Sequence, residues 1–600
     1  MKLSYSIGKT KIEKDVDKAS FMLTNRIGGY AYFSNAPSSR YQGFFFNDNL
    51  KMFKVIENIS LTTKTPIKAF KNKFCSVERE YDNGVIESFF TPLNSNSLIY
   101  GLNDENEIDV ALDVKESYDN REFGRIYNIE VEGDKLVVAF TKRTNLSEDE
   151  SEGKEEYALY LVIKPDKLNY ELIDEWQKRV YSDDKKRGSL PYERHVYSAL
   201  RLKAKDFVFS VSRDRAKAIK EAAKIFESRN KLKKQQERSI NKLIKENSII
   251  KNIKNNETRL AYISALNSLG SLRVKTKREE GLFAGLPWFF QLWARDELIS
   301  LKGLSSLDSS TVKNILMRYF FNLKQGKLSN KYPEGDVASS DGVGWLYFRT
   351  KEAIDKKIFN KNEVKKIKDI LKENIDILIK NNTNDELAVC NEKETWMDTL
   401  ARDGALIELQ ALRLFMYKFL FELTKNKKYK ELEDKLKDKS RERFWNGKYL
   451  IDGLGGKIIR PNLFIAAYIY PELLSKEEWS KCFENVLPRL FVDWGGLTTI
   501  DQTDSLFTSH HTGEDSKSYH NGDSWFWINN LAAIVLSRVD KKRFNNHIEK
   551  ILNASTKEIL YSGISGCGAE LSSAEGLKSE GCLNQAWSNA MFIELIESLS

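Results

Sequence analysis

The sequence predicts a multidomain β + α protein: an N-terminal β-sandwich, a linker helix and a C-terminal toroid of helices, spread over 600 residues. Three changes of texture carry that reading. Up to about residue 210, apolar and polar residues alternate in short runs broken by Asn, Asp, Gly and Ser, the period of half-buried strands. Residues 213–254 hold 14 Lys and Arg against 5 Asp and Glu within a strongly helix-forming stretch. From residue 255 onward, about a dozen amphipathic segments of helical length are joined by loops rich in Gly, Trp and Asp.

Within residues 1–212 the clearest strands are KLVVAFTKR, YALYLVIKP and KDFVFSVSR. The acidic interruption SEDESEGKEE at 147–156 reads as a solvated hairpin loop between two of them. Residues 213–254 place Ala216, Ile219, Ala222, Ala223 and Phe226, then Ile240, Leu243 and Ile244, at helical spacing and read as an exposed, basic linker helix. Residues 255–600 include ETRLAYISALNSL, EVKKIKDILKENIDILIK and GALIELQALRLFMYKFLFELTK. Helices in that number, with aromatic and acidic loops between them, suggest an inner and an outer ring. A solenoid is the alternative, but no fixed-period repeat supports it.

Composition narrows the function classes. The five cysteines are odd in number and lack CxxC spacing, so neither a disulfide framework nor a zinc ribbon is expected, and a reducing cytoplasm fits best. The N-terminus has no apolar leader and no stretch is long and apolar enough to span a bilayer, so no membrane partner is expected. The formal charge of +9 resides entirely in 213–254. A single aromatic residue, Phe226, falls among those lysines, short of the interleaving that single-strand binding requires, so a solvated helix is favoured and no nucleic-acid partner is expected. His510, His511 and His520 lie close together but lack HExxH or i, i+4 spacing, so neither a metal nor a cofactor is expected.

Charged and aromatic residues of the C-terminal half gather at loop and helix ends. GLPWFFQLWARDELISLKGL holds Trp288, Trp293, Arg295 and Asp296; SSDGVGWLYF holds Asp341 and Trp345; KETWMDTLARDGALIELQAL holds Trp396, Asp398, Asp403 and Glu408. A sugar offers hydroxyls to carboxylates and an apolar C–H face to aromatic rings, and recurring Asp, Trp and Arg sets suit it. Taken singly, Trp293, Trp396 and Trp587 read more readily as core residues at helix ends. GxxxxGK[ST], GxSxG and a strand-borne GxGxxG are all missing, leaving paired carboxylates as the available chemistry. Glycosidic cleavage uses such a pair: a protonated acid at the leaving oxygen and, for inversion, a carboxylate that activates water from the opposite face.

These segments resemble the glycogen-debranching amylo-α-1,6-glucosidases, which are related in their helical domain to glucoamylases. In the N-terminal part, FMLTNRIGGYAYFSNAPSSRYQGFFF is similar to the family's sandwich signature, with Gln42 where a histidine is usual. In the helical part, PWF…W-x-R-D, D-x-x-x-W, TWMD, RPN, YH-x-G-x-x-W and QAWS follow in the family's order. The resemblance implies a six-on-six, (α/α)6 toroid. It makes Asp398 the general acid and Glu570 the base, with Glu575 as rival. Arg295 and Asp296 would hold hydroxyls of the terminal glucose. Trp288, Asp341, Trp345, Trp396, His520 and Trp525 would be pocket walls, with Gln585 and Trp587 on the substrate side of QAWS.

On this reading the activity is that of an inverting exo-acting α-glucosidase on glycogen limit dextrin or maltooligosaccharides. A glucoamylase-like α-1,4 preference and a non-catalytic carbohydrate-binding role are the alternatives. Eukaryotic debranching enzymes carry a separate glucanotransferase barrel; no such activity is expected of a sandwich and a toroid. Ala294 and LARDGALIELQAL depart from the family pattern and leave the linkage preference open. The acid role requires Asp398 to sit in an apolar setting, as Trp396 and Met397 suggest, whereas Glu570 between Gly568 and Ser572 is expected to stay ionised. The bland reading of Asp398 is an N-cap to a helix starting near Ala401.

Overall fold

The computed structural model describes residues 1–7, 10–63, 65–144, 153–277, 279–456 and 458–600. The chain divides into two compact units, one of Met1–Asn267, Ser271–Glu279 and Tyr561–Gly566, the other of Ser268–Gly270, Glu280–Leu560 and Cys567–Ser600. Among the described residues no helix is long and apolar enough to cross a membrane.

The first unit opens with strands β1 (Lys2–Ile7), β2 (Thr10–Asp15), β3 (Ser20–Thr24), β4 (Tyr30–Ser34) and β5 (Gly43–Asp48). Next come β6 (Lys51–Leu61), β7 (Ile67–Asn72), β8 (Ser76–Tyr81), β9 (Ile86–Phe90) and the long β10 (Ser97–Glu116). β11 (Arg125–Glu132), β12 (Lys135–Arg143), β13 (Glu155–Pro165), β14 (Tyr170–Val180), the short helix α1 (Ser182–Lys186) and the long β15 (Glu193–Ser212) complete it. β10 and β15 pair antiparallel with register breaks between Gly101 and Asn106 and at Val110–Ala111. On one side of the breaks they continue into β9 and β13, on the other into β6 and β14. One hydrogen-bonded network thus bends into two layers that share its longest strands. The layers face each other through aromatic rings: Phe21 of β3 lies 5.6 Å from Phe70 of β7 and 4.9 Å from Phe89 of β9. The expected sandwich is therefore present. β12 and β13 pair as the expected hairpin; residues 147–152 of the acidic run between them lie outside the described residues.

The basic segment forms α2 (Arg215–Glu246), capped by Asp214, whose side chain accepts the Lys217 N–H, and the short α3 (Ser248–Asn252). Its first turns are docked rather than exposed, which corrects the linker expectation. Ala218 and Ala222 pack on Val137 and Val162, and Ile225 packs on Phe90, Ile99 and Val208. The two alanines let the helix axis lie close to the sheet, and beyond Leu232 the lysine-rich turns remain half-buried or exposed.

Helix α4 (Asn256–Ser271) precedes eleven more, so the expected dozen is met among the described residues. In the second unit α5 (Ala294–Ser305), α6 (Ser309–Phe321), α7 (Ser340–Asp355) and α8 (Lys361–Asn381) come first. They are followed by α9 (Ile407–Thr424), α10 (Lys427–Phe444), α11 (Asn462–Ile469) and α12 (Lys476–Leu490), then α13 (Phe526–Asp540), α14 (Asn545–Tyr561) and α15 (Ala586–Leu599). The odd-numbered helices from α5 to α15 each pack on the next, and α15 returns to α5. This closed ring of six excludes the solenoid. Inner α11 is buried at every residue, whereas outer α8 buries Ile367, Leu371, Asn374, Ile375 and Leu378 on one stripe and turns its lysines outward.

Candidate active site

One cavity of about 240 Å³ in the helical unit is lined by Ala284, Phe289, Trp293, Arg295, Asp296, Trp396, Asp398, Tyr519, Trp525, Glu570, Gln585 and Trp587. Its walls come from the starts of inner helices. Trp293 immediately precedes α5, Trp525 precedes α13 and Gln585 precedes α15, each in extended backbone. Two-residue antiparallel pairings fix these entries: Leu292–Trp293 with Lys331–Tyr332, Ser524–Trp525 with Leu571–Ser572, and Gly285–Leu286 with Asn584–Gln585. First-turn side chains of the ring therefore converge on a single space.

Three carboxyl groups face that space. Asp398 lies on the loop before α9, with its side chain 37% exposed and 3.6 Å from Arg295 Nη1. Burial of its surroundings raises its pKa; Arg295 opposes the shift and Asp341 adds to it. Arg295 is itself engaged, because its Nε donates to Asp341 Oδ2 at 2.7 Å. Asp341 is fixed in turn by Ser339 Oγ, which donates to its Oδ1 at 2.9 Å. Asp398 does not cap α9, which begins at Ile407. Its loop is braced by Arg402, whose Nη1 donates to Thr395 at 3.2 Å and Glu408 at 2.9 Å and whose Nε donates to Asp452 at 3.0 Å.

Glu570 is almost wholly buried, and desolvation pushes its carboxyl up to about 7. The open, freely ionised setting expected from its flanking residues is not found. Its charge is instead favoured by two donors: Tyr519 Oη to Oε1 at 2.6 Å and the Cys582 N–H to Oε2 at 2.8 Å. Gly581 makes the second bond possible. Its φ is +64°, and a methyl group there would overlap Glu570 Oε2. Asp296, third of the set, accepts from Gln585 Nε2 at 2.9 Å, and burial raises it to about 8 against the pull of Arg295.

The indoles form one connected cluster. Trp396 meets Trp525 and Trp527 edge-on at 5.5 and 5.1 Å, and Trp587 stacks on Trp527 at 5.1 Å. Trp396 donates to Asn462 Oδ1 at 2.6 Å and Trp525 donates to the Tyr519 carbonyl at 2.7 Å. Several polar atoms of the lining have no protein partner although buried: Trp293 Nε1, Arg295 Nη2, Gln585 Oε1 and Trp587 Nε1. Buried donors and acceptors left unsatisfied cost on the order of 1–3 kcal/mol each, so the lining is built for a ligand rich in hydrogen-bonding groups.

Eight of the residues singled out in the sequence besides Glu570 border the cavity: Trp293, Arg295, Asp296, Trp396, Asp398, Trp525, Gln585 and Trp587. Four do not. Asp341 stands behind Arg295. Trp345 is buried against Phe348 and Tyr468, because the second turn of α7 points into the helix packing. His520 stacks on Trp525 at 5.2 Å and bonds Thr399 at 2.6 Å; burial holds it neutral. Trp288 is half-buried and is not a lining residue, whereas Phe289 and Trp293 are. Glu575 is exposed and accepts from Ser509 at 2.7 Å. Tyr519, given no role from the sequence, is the first residue of the YH-x-G-x-x-W motif, and its place in that motif was the available signal.

A closed ring of six inner helices with carboxyls and indoles around one cavity is a glucoamylase-like fold, and the class of protein is a glycoside hydrolase. Residues 260–594 match the amylo-alpha-1,6-glucosidase family, more than half of the chain, and the protein belongs to that family. In fold it is similar to a bacterial glucoamylase solved in complex with acarbose, with a TM-score of 0.63 and 11% identity over 98% of this chain and 96% of that one. No curated protein matches the chain by sequence.

Proposed function

We propose that the protein is an inverting exo-α-glucosidase that removes α-1,6-linked glucose, and through the same cavity α-1,4-linked glucose, from glycogen limit dextrin and maltooligosaccharides. The observation that carries the proposal is that Asp398 and Glu570, far apart in sequence, border one cavity. Asp398, the acid, protonates the glycosidic oxygen as the bond to the anomeric carbon breaks. Water attacks that carbon from the opposite face and gives its proton to Glu570, so the product leaves as β-glucose. Arg295, Asp296 and the unpartnered indole N–H groups hold the sugar hydroxyls. A glucoamylase of the same fold was solved with acarbose bound, which supports an α-glucan as the ligand. The five buried thiols suit a cytoplasmic setting.

Glucose release from limit dextrin, panose and isomaltose, set against maltotetraose, tests the substrate class and ranks the linkages. Asp398→Asn and Glu570→Gln should each lower kcat by about 10³-fold or more with the unfolding temperature unchanged. A mild effect at either position moves that role to another residue.

A further inference from the structure

Trp176, on edge strand β14, is 46% exposed. It is not a loose surface ring. The guanidinium of Arg125 lies 4.5 Å from its ring centre, and that arginine is only 4% exposed. Arg125 is tied down by its bonds to Asp113 at 3.3 Å and to the His195 carbonyl at 2.8 Å. Tyr197 lies at 5.3 Å, and its hydroxyl donates to Asp174 at 2.9 Å. The indole therefore rests on a fixed cation and two aromatic neighbours, Tyr197 and Tyr127 at 5.8 Å, and the rest of it forms an exposed outer side.

Charged groups flank that outer side. Trp176 is opposite Tyr197 and Lys178 is opposite His195 in the β14–β15 register, so these four share a sheet face. Lys178 pairs with Glu193 at 2.7 Å and His195 with Glu122 at 2.9 Å. A rigid aromatic face bordered by carboxylates and a lysine matches a pyranose, whose C–H face stacks on the ring while its rim hydroxyls meet the charges. A protein partner would more naturally take a broad apolar patch. We infer that Trp176 is the centre of a surface subsite for α-glucan chains in the β unit, which holds a polymer by a second contact; this rests on the α-glucan reading of the proposed function.

The test uses the full chain and glycogen as probe. In native gels containing glycogen, Trp176→Ala should lose retardation, and its KM for glycogen should rise about tenfold as the second contact disappears, with kcat and hydrolysis of panose unchanged. Trp176→Phe should keep most of the retardation. Equal retardation and KM for wild type and Trp176→Ala overturn the inference, as does a Trp176→Phe variant no better than Ala. A wild-type dimer that becomes a monomer in Trp176→Ala by sedimentation also overturns it, assigning the face to a second copy. Failure of the catalytic reading is distinguishable: no glucose from any substrate, with Trp176-dependent retardation intact, removes the hydrolase assignment and leaves the subsite.

Discussion

At Glu570 burial and hydrogen bonding pull in opposite directions. Desolvation favours the protonated acid, while Tyr519 and the Cys582 N–H favour the carboxylate, and the balance falls at about 7. A base must be ionised, so kcat/KM should fall as pH drops below about 7, well above the usual carboxylate range. A profile flat down to pH about 5 contradicts this role. The sign for stability is the reverse. Glu570 and Asp296 at about 7 and 8 bind protons in the folded state that the unfolded chain, at its ordinary 4.5 and 3.8, releases. Their contribution is present at low pH and is lost as pH rises through 7 to 8, so the active ionisation state is the less stable one. Gly581→Ala should force Glu570 off its N–H and strain the left-handed backbone. The expected outcome is a kcat loss of tenfold or more at the cost of about 1–3 kcal/mol in stability, read by kinetics and denaturant unfolding. Unchanged kcat would mean that the loop accommodates the methyl group without moving the carboxylate.

Among the elements, helix periodicity decides which residues reach the cavity. Trp293, Arg295, Asp296, Trp525, Gln585 and Trp587 lie at the entry or in the first turn of inner helices, whereas Trp345 lies in the second turn of α7. Trp345→Ala should therefore cost about 3–5 kcal/mol through lost packing and leave KM of the folded fraction unchanged. A raised KM with normal stability would return Trp345 to the pocket. Strand and helix textures were legible because each has its own period, and β12 coincides with KLVVAFTKR. The docking of α2 was not. Ile219, Ala222 and Phe226 of the helical stripe do pack on the sheet, but spacing alone did not single out Ala218 and Ile225, which are buried with them against Val137, Val162 and Val208.

For the molecule as a whole, the site joins residues from the beginning, middle and end of the helical unit, and periodicity cannot reveal such meetings. Ordered motifs could: TWMD and the segment before QAWS brought Asp398 and Glu570 forward, and both face the cavity. What the motifs could not supply is the support around them. Arg402 and Asp452 act through hydrogen bonds across distant loops, and their residue types alone carry no such signal. The proposed hydrolysis requires these two carboxyls to work from opposite faces of one sugar. Proton NMR of freshly released glucose, recorded before mutarotation, tests it most directly. Inversion gives β-glucose first, decaying to the equilibrium mixture; α-glucose first rules inversion out.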